Sequence, residues 1–293
     1  MTGKLDVGQL GLWTNQFDSQ PISRVREAVA EIESLGYTAL WLGELFGREA
    51  TTQAAMALSA TSRLIVATGV ANVHAHDPAT LAQAQRTLLE AWGDRFVLGL
   101  GISHPWIVEQ LRGQTFGPRV PTMRAYLDRM DAAAFGPPGA DKRGPRVLGA
   151  VGPNMLRLAA QRTHGALPFG VPVEHTARTR ELLGPDAFLG VVQAVILAPD
   201  NASTREQAYN YVAESLPNRA DVLRGLGFSV DLTQPGADRL VRAMVPWGGP
   251  DAVAARIAEH RAAGADHVCL SVVGNPPEQL PLAQWRELAS LTG

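Results

Sequence analysis

The chain has one cysteine in 293 residues, Cys269. A single thiol excludes an intramolecular disulfide and a cysteine-built zinc cluster, and it suits a reducing compartment, so a cytoplasmic protein is expected. Lysine is nearly absent: only Lys4 and Lys142 occur, neither within an apolar strand-like run. That removes Schiff-base and carbamylated-lysine chemistry, and with it aldolases and many barrel hydrolases. Excess charge of one sign is missing too. The formal net charge is -2 and the sequence pI about 6.4, which gives no electrostatic footprint for nucleic acid or an anionic membrane. No apolar run approaches the roughly 20 residues of a membrane span, and the start, Met1 to Asp6, lacks a charged-then-apolar leader. A small-molecule substrate is expected, and neither nucleic acid nor membrane.

What the sequence does contain is alternation. Short β-branched runs are followed by longer alanine-rich amphipathic segments, the pattern of parallel strands joined by crossover helices. Strands are predicted at 6–12, 39–42, 64–70, 96–100, 146–149, 165–169, 189–197 and 267–272. Helices are predicted at 22–35, 49–61, 78–92, 123–134, 154–162, 176–183, 203–214 and 251–263. A turn at Gly136-Pro-Pro-Gly139 interrupts the rhythm. About eight strand-then-helix units in this length imply an α/β fold, a TIM (β/α)8 barrel with insertions over the C-terminal mouth. A doubly wound open sheet is the alternative. One domain over 1–293 is expected, with an insertion at about 216–245, too long for an ordinary connection.

In a barrel, reacting groups lie in the loops after the strands. Those loops carry Thr14, Asn15 and Gln16; Glu44; Asn72, His74 and His76; Ser103 and His104; Gly152, Pro153 and Asn154; and Gly170. Glu44 can act as general acid or base or hold a cofactor's polar edge, or it can face a helix N-terminus. His74 and His76, two apart in extended chain, would point the same way and suit a metal, or they are a solvated pair. Gly152-Pro-Asn154 ends a strand and opens a helix, a natural phosphate seat or an ordinary turn. Gly99-Leu-Gly101 is a second close-approach turn. At Gly69 a glycine at the end of a strand allows a bulge into the mouth. No Gly-x-Ser-x-Gly elbow occurs, and Cys269 within Val268-Cys-Leu270 reads as packing.

Five blocks, in order and spacing, resemble the luciferase-like monooxygenase superfamily, and within it the actinobacterial oxidoreductases that use the deazaflavin coenzyme F420. They are Gly36 to Glu44, Leu64 to Asn72 followed by Asp77-Pro78, Arg95 to Ser103, Gly152 to Met155 running on to Gly165 to Pro168, and Gly264 to Leu270. The resemblance implies a flavin-like ring in the barrel mouth, backed at Gly69 and Val70 by a non-prolyl cis peptide, with Ala71 and Asn72 completing that block. It implies Gly101, Ser103 and His104 along the cofactor, Gly152, Pro153, Asn154 and Met155 at its phosphate, and Gly170 and Val171 beside its tail. Glu44, His74 and His104 are then the candidates for a catalytic proton donor. Trp41 and Glu44 stand without the histidine of the sugar-phosphate branch, so a sugar phosphate is not expected.

The expected function is hydride transfer between coenzyme F420 and a small organic substrate. FMN in the same seat, making a monooxygenase, is the close alternative. A metal-dependent barrel hydrolase built on His74 and His76, and a non-catalytic flavin-binding protein, are further ones; in the leading reading no metal is expected. The resemblance also implies a homodimer formed through Gln53–Leu58 or Leu81–Trp92, whose apolar faces would equally pack on strands.

Overall fold

The computed structural model describes residues 4–137, 143–234 and 236–292. Lys142 and the second half of the Gly136–Gly139 turn lie outside the described residues, as does the start of the chain. In chain order the elements are β1 (Leu10–Thr14), α1 (Ile22–Ser34), β2 (Ala39–Leu42), α2 (Ala50–Ser59), β3 (Ile65–Thr68), β4 (Ala71–Asn72), α3 (Pro78–Trp92) and β5 (Phe96–Gly101). Next come α4 (Arg119–Asp131), β6 (Arg146–Leu148), α5 (Pro153–Arg162), β7 (Gly165–Ala166), α6 (Val173–Leu183) and β8 (Phe188–Val195). The last are α7 (Ala202–Ser215), α8 (Ala220–Gly225), α9 (Ala237–Met244), α10 (Pro250–Ala262), β9 (His267–Val272) and α11 (Leu282–Leu288).

All the strand pairs are parallel, β1 bonds both β2 and β9, and β3 bonds β5, so the sheet closes on itself. Segments β3 and β4 are two halves of one barrel strand, which makes eight positions: this is the expected TIM barrel, not the open sheet. No helix among the described residues is long and apolar enough to cross a membrane.

Predicted and observed elements differ where local chemistry intervenes. The first strand begins at Leu10, later than expected, because Asp6 accepts a hydrogen bond from Gly8 N and Gly8 turns at φ 77°. The expected strand 64–70 stops at Thr68 and resumes at Ala71, with the Gly69–Val70 peptide cis between the halves. Helix α4 starts four residues early, since Pro121 in its first turn needs no N–H partner.

Closure forces two kinds of burial. Helices cover the outside of the strands in one large apolar cluster, and Leu81, Leu88 and Leu89 of α3 join it with Ala54 and Leu58 of α2. The apolar faces named for a dimer contact thus pack on the barrel. Inside the barrel a second cluster stacks Val7, Ala39, Trp41, Ala67, Phe188 and Cys269 among others. A third cluster is separate: α7, α8 and α9 fold over Ile196 and Trp247 around Val212, Leu223, Val241 and Met244. Segment 216–245 lies inside this satellite.

Buried polar groups pair with one another, both inside the barrel and between its wall and the helices. His267 Nδ1 donates to the Gly8 carbonyl at 2.8 Å while its Nε2 accepts from Trp41 Nε1 at 3.0 Å, which fixes one neutral tautomer. Burial pulls this histidine down to about 4. His260 ties α10 to Gln193 of β8 at 2.7 Å and to Thr176 of α6 at 2.8 Å.

The break between β3 and β4 is bridged by a side chain. Thr68 Oγ1 donates to the Gly99 carbonyl at 2.7 Å and accepts from Gly99 N at 2.9 Å, replacing the lost ladder rung. This approach leaves no room on Gly99, where a Cβ would lie 2.1 Å from the Thr68 carbonyl oxygen. Overpacking of this kind costs typically 1–3 kcal/mol, so Gly99→Ala is expected to lower Tm by roughly 2 °C or more in thermal denaturation. A variant melting with the parent would mean that the bridge is not a constraint.

Candidate functional site

At the C-terminal mouth the chain departs from β2 and from β4 into loops joined by one carboxylate. Glu44, whose side chain is 7% exposed, accepts from Asn72 N at 2.7 Å, from Ala50 N at the start of α2 at 3.2 Å, and from His76 Nε2 at 2.8 Å. The helix-start contact is the structural alternative foreseen for this residue. Asn72 extends the brace, its Nδ2 donating to Ser103 Oγ at 3.2 Å and its Oδ1 accepting from His74 N at 2.9 Å. Ser103 turns at φ 65°, a backbone state uncommon outside glycine.

The two loop histidines do not converge. Burial alone would pull His76 down, but the hydrogen bond and charge of Glu44, with the charge of Glu49 3.7 Å from Nδ1, raise it above its ordinary value. His74 stacks on Phe116 with ring centroids 5.9 Å apart, and its buried Nε2 has no protein partner. Burial lowers it, opposed by Gln114 and assisted by Arg112. Among the described residues the group able to offer three metal-ligand atoms is Glu44, Glu49 and His76, without His74. Both carboxylates there already cap backbone N–H groups, Glu49 those of Thr51 and Thr52. The His74–His76 metal pair is therefore corrected: alternation along the loop is broken and the rings serve different partners.

Glycine spacing on β5 and after β6 has a packing cause. Val70 fills the gap left by three glycines, its methyls 2.3 Å from where a Gly101 Cβ would stand and 3.2 Å from those of Gly99 and Gly149. The close approach read at Gly99 and Gly101 is thus to Val70 and Thr68. Ala71 continues the strand, paired with Leu100. Trp13 was missed by sequence reasoning. Its Nε1 donates to the Gly69 carbonyl and its ring meets Phe169 edge-on at 4.9 Å, so it supports the bulge from β1. Its place four residues along an alternating strand was the available signal.

On the far side of the mouth, Gly152 precedes α5 with open space where a Cβ would stand, and Pro153 takes the first helical position. No side chain caps this helix; Asn154 instead accepts from Arg157 at 2.9 Å, and Met155 is buried below. Gly170 turns at φ 63° and Val171 is buried behind it. His104 is held neutral first by burial, then by the positive fields of Arg219 and Arg119, against a contact from Asn218. Phe46 and Trp106 are exposed on neighbouring loops with ring centroids 5.8 Å apart. A depression lined by Val7, Gly8, Tyr37 and Leu64 lies at the opposite end, where barrels carry no chemistry.

A family model of luciferase-like monooxygenases matches residues 6–267, and the chain belongs to that family. A Mycobacterium tuberculosis protein, Rv3520c, provisionally named a coenzyme F420-dependent oxidoreductase, is 30% identical over 190 residues, 55% of this chain and 55% of the relative. The match thus spans about half the length of that curated relative. Solved structures with the same fold include an F420-dependent secondary alcohol dehydrogenase in complex with an F420–acetone adduct, at TM-score 0.76 and 14% identity over 97% of both chains. The F420-dependent tetrahydromethanopterin reductase of Methanopyrus kandleri superposes at 0.70 with 15% identity over 96% of this chain and 97% of its own. The oxygenating constituent of a Pseudomonas putida diketocamphane monooxygenase, solved with FMN, does so at 0.68 with 15% identity over 97% and 96%.

The raised His76 gives the brace a pH signature. A histidine whose folded value exceeds its unfolded one adds stability that is complete below pH ~6.5 and is lost as pH rises through the folded value. Wild type should therefore melt above His76→Gln by on the order of 3 °C at pH 6, with the gap narrowing toward pH 9. A gap constant across that range would show that the ring acts as an uncharged hydrogen-bond donor.

Proposed function

We propose that the protein is an F420-dependent oxidoreductase moving a hydride between the deazaflavin and a small organic substrate. The observation that carries this reading is the start of α5, a ten-residue helix whose first-turn N–H groups have no side-chain cap, with open space beside Gly152. Such a terminus suits a phosphate through the N–H of Asn154 and the helix dipole, Pro153 having no N–H and those of Met155 and Leu156 bonding the Gly152 carbonyl. The choice of deazaflavin follows the relative from Mycobacterium tuberculosis.

The residues present fit a planar cofactor bearing a phosphate. Gly69, Val70 and Ala71 would back the ring, Asn72, Gly101 and Ser103 would line it, Gly152 to Met155 would hold the phosphate, and Gly170 and Val171 would flank the tail. The deazaflavin, when bound, supplies the two-electron hydride chemistry. The protein then has to orient the substrate, exclude water and handle a proton. Glu44 is engaged by three N–H donors, so among the three candidates His74 and His104 are the freer groups. His74 Nε2, buried without a partner, is the better placed to exchange a proton with a bound molecule. Phe46 and Trp106 offer an apolar rim for an organic substrate. The same reading takes the protein as a cytoplasmic homodimer, supported by the family resemblance and the lone buried thiol of Cys269.

Fluorescence quenching with F420 and, separately, FMN tests the reading, together with Asn154→Asp. Preferential binding of F420, weakened about tenfold by the added charge, or about 1.4 kcal/mol, is expected. Preference for FMN would move the protein to the monooxygenases, and no binding of either would remove the proposed function.

A further inference from the structure

Arg219 has no role in the reading above. It lies in the satellite, between a short turn at Leu216–Asn218 and α8, and its half-buried side chain reaches back to the loop after β7. Its Nε donates to the Phe169 carbonyl at 3.0 Å and its Nη1 to the Asn218 carbonyl at 3.2 Å. Both acceptors are neutral. Among the described residues Arg219 forms no ion pair, although Arg180, Arg205, Arg242 and Arg256 each have a carboxylate.

A guanidinium held among protein atoms without an anion carries charge that solvent compensates only in part. The surroundings add to the excess. Arg119, exposed at the start of α4 and stacked on Phe116 at 5.5 Å, is also without an ion pair among the described residues. Burial lowers Arg219, Tyr211 opposes that, and the charge of Arg119 lowers it further. His104, on the loop after β5, is lowered by burial and then by the charges of Arg219 and Arg119. The charges of Arg219 and Arg119 thus both act on His104 at the mouth. Gly170, next to the Phe169 carbonyl that anchors Arg219, presents no side chain there. Two of the five guanidinium N–H donors are committed, and the remainder keep the planar fork that matches an oxyanion.

We propose that Arg219, assisted by Arg119, forms an oxyanion-binding site that receives a phosphate or carboxylate of the molecule held in the mouth. The proposal rests on the mouth being the ligand site, and not on that ligand being the deazaflavin. The anion can belong to the cofactor or to an acidic substrate, and charge-assisted bidentate bonding serves both.

The test uses the full chain as wild type, Arg219→Gln and Arg119→Gln, in two arms. In the first, Tm is followed against sulfate, with chloride at matched ionic strength as control. Sulfate is expected to raise the wild-type Tm, to leave Arg219→Gln unmoved and to raise Arg119→Gln less. An equal sulfate response in wild type and Arg219→Gln, zero included, overturns the site. If Arg219→Gln fails to fold, the exposed Arg119→Gln decides in the same way. In the second arm, fluorescence quenching compares F420 with its deazaflavin nucleoside, which lacks the phosphate. A tenfold or greater loss for F420 alone in Arg219→Gln assigns the anion to the cofactor, whereas unchanged affinity for both with a lost sulfate response assigns it to the substrate. Failure of wild type to bind F420 would sink the proposed function while the sulfate arm still decides the site.

Discussion

A closed parallel sheet has no edge and no water inside, so every inward polar group must find its partner within the barrel. That constraint explains the pairings seen here. Inside, Trp41, His267 and the Gly8 carbonyl form one chain of donors and acceptors, and between the barrel wall and the helices α6 and α10 the buried His260, Gln193 and Thr176 form another. Thr68 and Gly99 apply the same rule where the ladder is broken. Each solution fixes a tautomer or a glycine, and with it the position of the strand that carries the next loop.

The same rule organises the mouth, through Glu44. Because its carboxylate is answered by Asn72 N, Ala50 N and His76, the loop after β2 cannot move without the loop after β4. Asn72 passes the restraint to Ser103 on the loop after β5. Pairing stops short at several groups on these loops and the satellite, among them His74 Nε2, which has no partner, and Arg219, which has only carbonyls. Where self-satisfaction is otherwise the rule, groups left with spare donor or acceptor capacity are where a second molecule has most to gain.

The fold was legible because parallel strands and crossover helices write their periods plainly. Helix α3 and strands β2 and β9 fall where periodicity puts them. Boundaries moved where a side chain made a turn, as Asp6 does at Gly8, which no period reveals. The site was legible as positions and illegible as partners. Sequence puts Glu44, His74 and His76 at strand ends, but only the folded chain shows that Glu44 binds His76 and two backbone amides. Gly99 and Gly101 read as a close-approach turn, and only the folded chain shows that the approach is by Val70 and Thr68. Arg219 was invisible for a different reason: among 26 cationic residues, the one that reaches the Phe169 carbonyl is recognised only in the folded chain.

The satellite carries the argument from fold to specificity. Barrels of this shape accompany both F420 and FMN enzymes among the solved structures, so the shared eight strands cannot by themselves discriminate between ligands. What differs must lie in segments that the barrel does not need for closure. Residues from Ile196 to Trp247 meet that condition, since they follow the strand β8 and pack around their own apolar cluster. A segment with its own core can change its outer residues without reopening the barrel, and Arg219 reaches from it to the Phe169 carbonyl beside the mouth. Charge on such a segment changes the field at the mouth while leaving the dry interior, and the pairings that depend on it, as they are.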